Sequence, residues 1–210
     1  MDGSRRKICD SVTKIFRCDA ANVHAVYAWI GQTRIPGILG LDFDFKLASQ
    51  QIVLGLQTSS FSSMFDYAKE FARVFYSQLI VWLPNATVPL SDEQAPRVTF
   101  LGYVNDLPQT ATAYFRYENG NLKLPGLTNV LESPSSCLNV LNGKKAVYEK
   151  MCQLGLLRPC STLTEGATLV NRFIQACIDN PPDDSNDVGG DIHIAKVVPT
   201  GSHWIIAPKF

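Results

Sequence analysis

Val188-Gly-Gly-Asp-Ile-His-Ile-Ala-Lys-Val-Val-Pro-Thr-Gly-Ser-His-Trp204 is the stretch on which the reading of this fold turns. A glycine pair feeds an alternating run from Ile192 to Val198, Pro199-Thr-Gly-Ser202 reverses the chain, and a second run covers His203 to Ala207. Alternation with a period of two on both sides of a Pro/Gly turn predicts a half-buried β-hairpin. The paired glycines ahead of it allow close approach of a neighbouring main chain.

Upstream of the hairpin lies a hydrophilic loop, Pro181-Pro-Asp-Asp-Ser-Asn186. Before that, Thr162-Leu-Thr-Glu165 has the spacing of a capping box, in which the threonine accepts from a free amide and the glutamate reaches back. A helix to about Asp179 is expected, with Leu169, Val170, Phe173 and Cys177 inward, and another over Asn142 to Leu156. Arg97–Tyr103 and Thr110–Tyr117 read as strands, and Glu118-Asn-Gly-Asn121 as a turn leading to Leu122–Leu124. The clearest helix covers about Ser62 to Leu83. There Met64, Ala68, Phe71, Phe75, Leu79 and Trp82 recur at three- and four-residue intervals, and Pro84 stops it. This aromatic stripe reads as core rather than as a ligand box.

Phe45–Leu56 is a shorter helical or irregular segment, preceded by a loop from Arg34 to Asp44. Val12–Phe16 and Val23–Ile30 are strands joined by a turn at Asp19-Ala-Ala-Asn22. Val23-His-Ala-Val-Tyr-Ala-Trp-Ile30 is too apolar to leave one face wet, so both faces are expected to be covered. Strand pairs separated by helix pairs fit two antiparallel sheets stacked face to face with helices outside. The expectation is an α+β fold, a four-layer αββα sandwich. No internal repeat or linker interrupts residues 1–210, which read as a single domain.

The 210 residues are 46% hydrophobic, enough for a substantial core, and 19 basic side chains balance 19 acidic ones. Neutral charge removes any general pull on nucleic acid or anionic membrane. No apolar run reaches the ~18 residues of a membrane span. The opening Met-Asp-Gly-Ser-Arg-Arg-Lys lacks the apolar core of a secretory signal, so a cytoplasmic protein is expected. The Arg5-Arg-Lys7 run reads as a solvated turn. Cys9, Cys18, Cys137, Cys152, Cys160 and Cys177 form no Cys-x-x-Cys pair and no zinc-finger spacing with His24, His193 or His203. Reduced thiols are expected, with no metal and no cofactor. His193 and His203 face one another across a hairpin reading, but two imidazoles make a poor metal site.

The Gly-Gly-x-Ile hairpin ending in a Gly-x-x-Trp-Ile-like element resembles the carboxyl-terminal segment of proteasome-like N-terminal-nucleophile hydrolases. Asp10-Ser-Val-Thr-Lys-Ile-Phe16 resembles that family's Lys-Ile/Val strand, and Val26-Tyr-Ala-Trp-Ile-Gly31 its following strand. Phe100-Leu-Gly-Tyr103, Thr112-Ala-Tyr-Phe-Arg116 and the Asn119-Gly120 turn resemble its mid-chain hairpin. The resemblance extends over nearly the whole chain and implies hydrolysis of an amide or peptide bond. In the family, a Thr, Ser or Cys at the processed amino terminus attacks the carbonyl with its own α-amine as base. A buried lysine lowers the nucleophile's pKa, an aspartate orients that lysine, and a glycine amide stabilises the oxyanion. By position the resemblance assigns these roles to Lys14, Asp2 and Gly31. Met1-Asp-Gly-Ser-Arg5 is similar to the family's Asp-Ser-Arg turn.

The chain departs from the pattern in two places. That turn sits at residues 2–5, so the first strand and its nucleophile are missing, and Asp2 supplies neither hydroxyl nor thiol. Val188 also stands where active subunits usually carry a serine before the glycine. Two expectations follow: a native start about one strand earlier, ~15–20 residues upstream, or a non-catalytic member using the sandwich for assembly or ligand binding. The resemblance also implies a homo-oligomer and a peptide or amide substrate. Two other readings are a small-molecule or peptide sensor domain and an internal cysteine hydrolase. The first expects a single sheet with one exposed face; the second lacks a nucleophile motif near any histidine.

Overall fold

Val23-His-Ala-Val-Tyr-Ala-Trp-Ile30 forms a strand over its whole length. It sits one place from the edge of a five-stranded antiparallel sheet. The computed structural model describes residues 15–30, 34–88, 95–118, 120–131, 145–156, 160–179 and 194–206. The chain forms two compact units, one of residues 14–136 with 197–202 and one of residues 1–13, 137–196 and 203–210.

In chain order the first unit holds β1 (Ile15–Ala20), β2 (Val23–Ile30), β3 (Arg34–Ile35), β4 (Phe43–Asp44), α1 (Phe45–Leu56) and α2 (Met64–Trp82). β5 (Arg97–Val104), β6 (Leu107–Tyr114), β7 (Tyr117–Glu118), β8 (Asn121–Leu122) and β9 (Gly126–Leu131) follow. The second unit holds α3 (Lys145–Gln153) and α4 (Leu163–Asp179). β10 (Ile194–Val198) and β11 (Gly201–Ile206) pair as the hairpin expected near the end of the chain. The architecture is α+β, with antiparallel sheets and two helix pairs.

The large sheet runs β1-β2-β5-β6-β9. Its strands alternate between two faces. On one face Phe16, Tyr27, Trp29 and Phe100 meet α1 and α2 in a continuous aromatic core. Trp29 lies 5.3 Å from Phe45 and 4.9 Å from Phe75, centroid to centroid, and Phe100 lies 5.0 Å from Phe71. The expected stripe on α2 packs inward, with Met64, Ala68, Phe71, Phe75 and Leu79 all buried. Burying each such large side chain contributes about 1.5–3 kcal/mol.

Polar ties fix the helices on this face. The indole Nε1–H of Trp29 donates to Ser49 Oγ on α1 at 2.9 Å, and Ser49 in turn donates to the Phe45 carbonyl. The buried Gln109 side chain of β6 accepts from the Met64 amide at 2.8 Å, satisfying one of the free donors at the start of α2. Ser63 caps the same helix by accepting from the Asp66 amide.

The opposite face carries Val26, Ala28, Ile30, Leu101 and Tyr103 among Arg17, Asp19, His24 and Arg97. Val26 here is 9% exposed, the same value as Phe16 on the helix-packed face. The neighbours of Val26 on either side across the sheet, Leu101 and Arg17, are exposed, so this face is covered only in part. Over β1, Arg17 Nε donates to Ser202 Oγ at 2.8 Å, and Ser202 is 1% exposed. Residues 197–202, the turn side of the last hairpin, belong to the same unit as the sheet.

Several boundaries differ from expectation. β1 continues through Asp19 and Ala20, leaving only Ala21 and Asn22 in the turn, because Phe16, Cys18 and Ala20 keep the inward alternation. β6 begins at Leu107 rather than Thr110: Asn105 and Asp106 both take positive φ, 50° and 64°, and make a tight hairpin with β5. β9, not expected, is an edge strand set by pairing with β6. α3 ends at Gln153, because Gly155 takes φ 65° and the Leu156 amide bonds the Met151 carbonyl at 2.9 Å, a Schellman stop.

In the second unit Met151, Leu169 and Phe173 form the core between α3 and α4. Val170, expected inward, is 37% exposed, since one residue beyond Leu169 turns it about 100° off that seam. The capping box forms with a shift. Thr162 Oγ1 accepts from the Glu165 amide at 3.2 Å, while the Glu165 carboxylate reaches back to the Ser161 amide at 2.7 Å instead of to Thr162.

Candidate functional site

The antiparallel register sets Ile30 opposite Arg97, Arg97 opposite Tyr114 and Tyr114 opposite Gly126. These four residues form one row across the sheet at the end where β1 begins and β2 finishes. Arg97 and Tyr114 occupy the face away from α1 and α2. The Tyr114 ring lies over Gly126, close enough that a Cβ there would come within 2.7 Å of two ring carbons. Arg116 places its guanidinium carbon 5.9 Å from the centroid of the same ring, a cation–π contact. Phe115 between them is fully buried, and its amide donates to the Pro96 carbonyl at 3.1 Å, holding the start of β5 beside the end of β6.

Ala95, Arg97, Tyr114, Phe115 and Arg116 border a depression of about 440 Å³. Arg97 and Arg116 are exposed. Among the described residues neither has a carboxylate partner, whereas Arg17, Arg34 and Arg73 pair with Asp19, Asp42 and Glu70. Among the described residues the depression therefore carries two cations without a carboxylate partner and one aromatic wall.

Asp2, Lys14 and Gly31, the site residues expected from the sequence, lie outside the described residues. Lys14 directly precedes β1 and Gly31 directly follows β2. Ile15 pairs with Ala28, so the two strand ends adjoining them lie side by side, at the same end of the sheet as Arg97 and Tyr114. Sequence reading did not single out Arg97, Tyr114 or Arg116. The signal was the Asn105-Asp106 pair between two alternating runs, because a two-residue hairpin loop there fixes residues 97 and 114 as partners.

At the other end of β1, the Asp19 carboxylate lies 3.4 Å from His24 Nδ1 and 3.5 Å from Arg17 Nη2. Inside the core, burial pushes the Cys18 thiol and the Tyr27 and Tyr67 phenols well above their usual ranges. Cys18 is neutral and closed to solvent, so it is not a nucleophile. Neither the Tyr27 nor the Tyr67 hydroxyl makes a well-formed hydrogen bond. Among the described residues no group of three His, Cys, Asp or Glu side chains is placed to hold a metal. His203 is exposed, and His193 lies outside the described residues. No helix among the described residues is long and apolar enough to cross a membrane.

Comparison with protein-family models, with curated proteins and with solved structures finds no match to this chain.

Proposed function

We propose that this chain is a proteasome-like N-terminal-nucleophile hydrolase subunit that acts on an amide or peptide bond. The observation that carries the reading is the pairing of β1 with β2, which sets the strand ends adjoining Lys14 and Gly31 next to each other. In the four-layer αββα sandwich of this proposal, the large sheet is one inner layer and the last hairpin belongs to the other. Two features support that stacking: the low exposure of Val26 on the face away from the helices, and the Arg17–Ser202 hydrogen bond. The element order, strands then helix pair on both passes, supports it as well.

In this reading a terminal hydroxyl or thiol attacks the substrate carbonyl and its proton passes to the α-amine. The Lys14 ammonium, oriented by the Asp2 carboxylate, favours the ionised nucleophile. The Gly31 amide donates to the oxyanion of the tetrahedral adduct. Collapse breaks the C–N bond, the α-ammonium protonates the leaving amine, and water then hydrolyses the acyl-enzyme. Neither Met1 nor Asp2 carries the hydroxyl or thiol that this attack needs. The alternative is a sandwich used for assembly or ligand binding, and a homo-oligomer fits both. Cytoplasmic residence accords with the free thiols of Cys18 and Cys152.

Intact mass of the protein from its native host, combined with an acyl-trapping probe, tests the catalytic reading. A processed Thr, Ser or Cys terminus that takes up one probe per chain is the expected result. A mature chain starting at residue 1 or 2 with no covalent adduct would leave the assembly role.

A further inference from the structure

We propose that Arg97, Tyr114 and Arg116 form a subsite that recognises an acidic side chain of a peptide. The proposal rests on the hydrolase reading for its choice of ligand, because it places the subsite at the end of the sheet where the scissile amide would lie. The geometry stands independently of that choice. Two arginines line one depression of about 440 Å³, a volume within the usual range for small-ligand sites. Neither is neutralised by a carboxylate among the described residues, unlike the arginines at positions 17, 34 and 73. Like charges gathered in a concave surface raise the local concentration of anions.

The site is also held in place. Tyr114 is seated over Gly126, Arg116 rests against the Tyr114 ring, and the β5–β6 ladder fixes the Arg97 backbone opposite Tyr114. A guanidinium presents a planar fork of donors that matches the two oxygens of a carboxylate, where an ammonium offers only a point charge. The aromatic ring beside the fork offers an apolar surface for the methylene groups of a glutamate. The same fork accepts phosphate, so the test separates the two sources.

Direct binding reads the subsite without asking for turnover. The full chain is titrated with acetyl-Ala-Ala-Glu-Ala-amide, with its Gln counterpart and with inorganic phosphate, followed by NMR of the arginine Nε–H and Tyr114 ring signals. The Glu peptide is expected to bind roughly tenfold or more tightly than the Gln peptide, since a hydrogen bond to a charged group is worth about 1.5–3 kcal/mol. It should shift the Arg97 and Arg116 signals. Arg97→Gln and Arg116→Gln should each lose that preference at unchanged melting temperature, and Arg97→Lys should recover only part of it. Equal affinity for the Glu and Gln peptides in the unsubstituted chain overturns the proposal, as does phosphate binding that displaces the Glu peptide and is tighter than it. If the Glu preference holds while the acyl-trapping probe leaves no adduct, the subsite stands and the hydrolase reading falls.

Discussion

Ser49→Ala removes one oxygen from the centre of the larger unit, and its cost can be worked out from two hydrogen bonds. Ser49 is fully buried and accepts from the Trp29 indole, itself 2% exposed. Water cannot take over that donor, so the substitution leaves a buried N–H unpaired, at about 1–3 kcal/mol. The other bond lost, from Ser49 to the Phe45 carbonyl, costs little, because the helix already gives that carbonyl a backbone donor. In a Trp29→Phe background there is no indole N–H to strand, and Ser49→Ala should then be near neutral or slightly stabilising, alanine being the better helix former. A double-mutant cycle should therefore give a coupling of about 1–2 kcal/mol. Urea unfolding followed by circular dichroism reads this directly. With a slope of about 2 kcal/mol per molar, the single Ser49→Ala variant loses roughly 1 M in its midpoint. Equal cost in both backgrounds would refute the account that the indole hydrogen bond, rather than simple packing, ties β2 to α1.

Gln109→Ala should cost about 1–2 kcal/mol, since the Met64 amide at the start of α2 loses its acceptor 2.8 Å away inside the core; amide exchange at Met64 should rise with it. Phe100→Ala, opening space beside Tyr67 and Phe71, should cost about 3–5 kcal/mol by thermal melting. Thr162→Ala should cost about 1 kcal/mol and fray the first turn of α4, visible as faster exchange at Glu165. Stability should fall at alkaline pH. Burial raises Cys18, Tyr27 and Tyr67, and raises Tyr117 to about 12. The unfolded chain therefore gives up these protons first, from the ordinary values of 9.0 for the thiol and 10.0 for the phenols. Their stabilisation is complete below pH 9 and is lost as pH rises toward the folded values, at about 1.4 kcal/mol per pH unit for each group in its window. A flat stability profile between pH 8 and 11 would contradict this.

Periodicity located α2, because it buries one face over many residues and the three-to-four repeat is a direct image of that burial, whereas β2 was located by a short, near-continuous apolar run. The α3 stop was equally local, a glycine in the left-handed region, but Leu156 just beyond it extended the apolar pattern and masked it. β9 was not legible, since Gly126–Leu131 has no alternation of its own and becomes a strand only by hydrogen bonding to β6. The near-continuous apolarity of Val23–Ile30 led to the expectation that both faces are covered; on the face away from the helices Val26 is buried while Leu101 beside it is exposed. The Arg17–Ser202 bond that ties the turn of the last hairpin to that face joins residues far apart in the chain and leaves no sequence signal.

By itself the sequence determined the strands and helices with strong patterning and the neutral charge, and it supplied the resemblance on which the proposed roles of Lys14, Asp2 and Gly31 rest. Only the tertiary structure decided which residues share a row: Arg97 and Tyr114 become neighbours through the β5–β6 register, and Arg116 joins them through an aromatic contact. The reason is physical. Local patterns record which side of an element is buried, whereas a site is made by cross-strand pairing, and pairing depends on turn geometry and on partners distant in the chain.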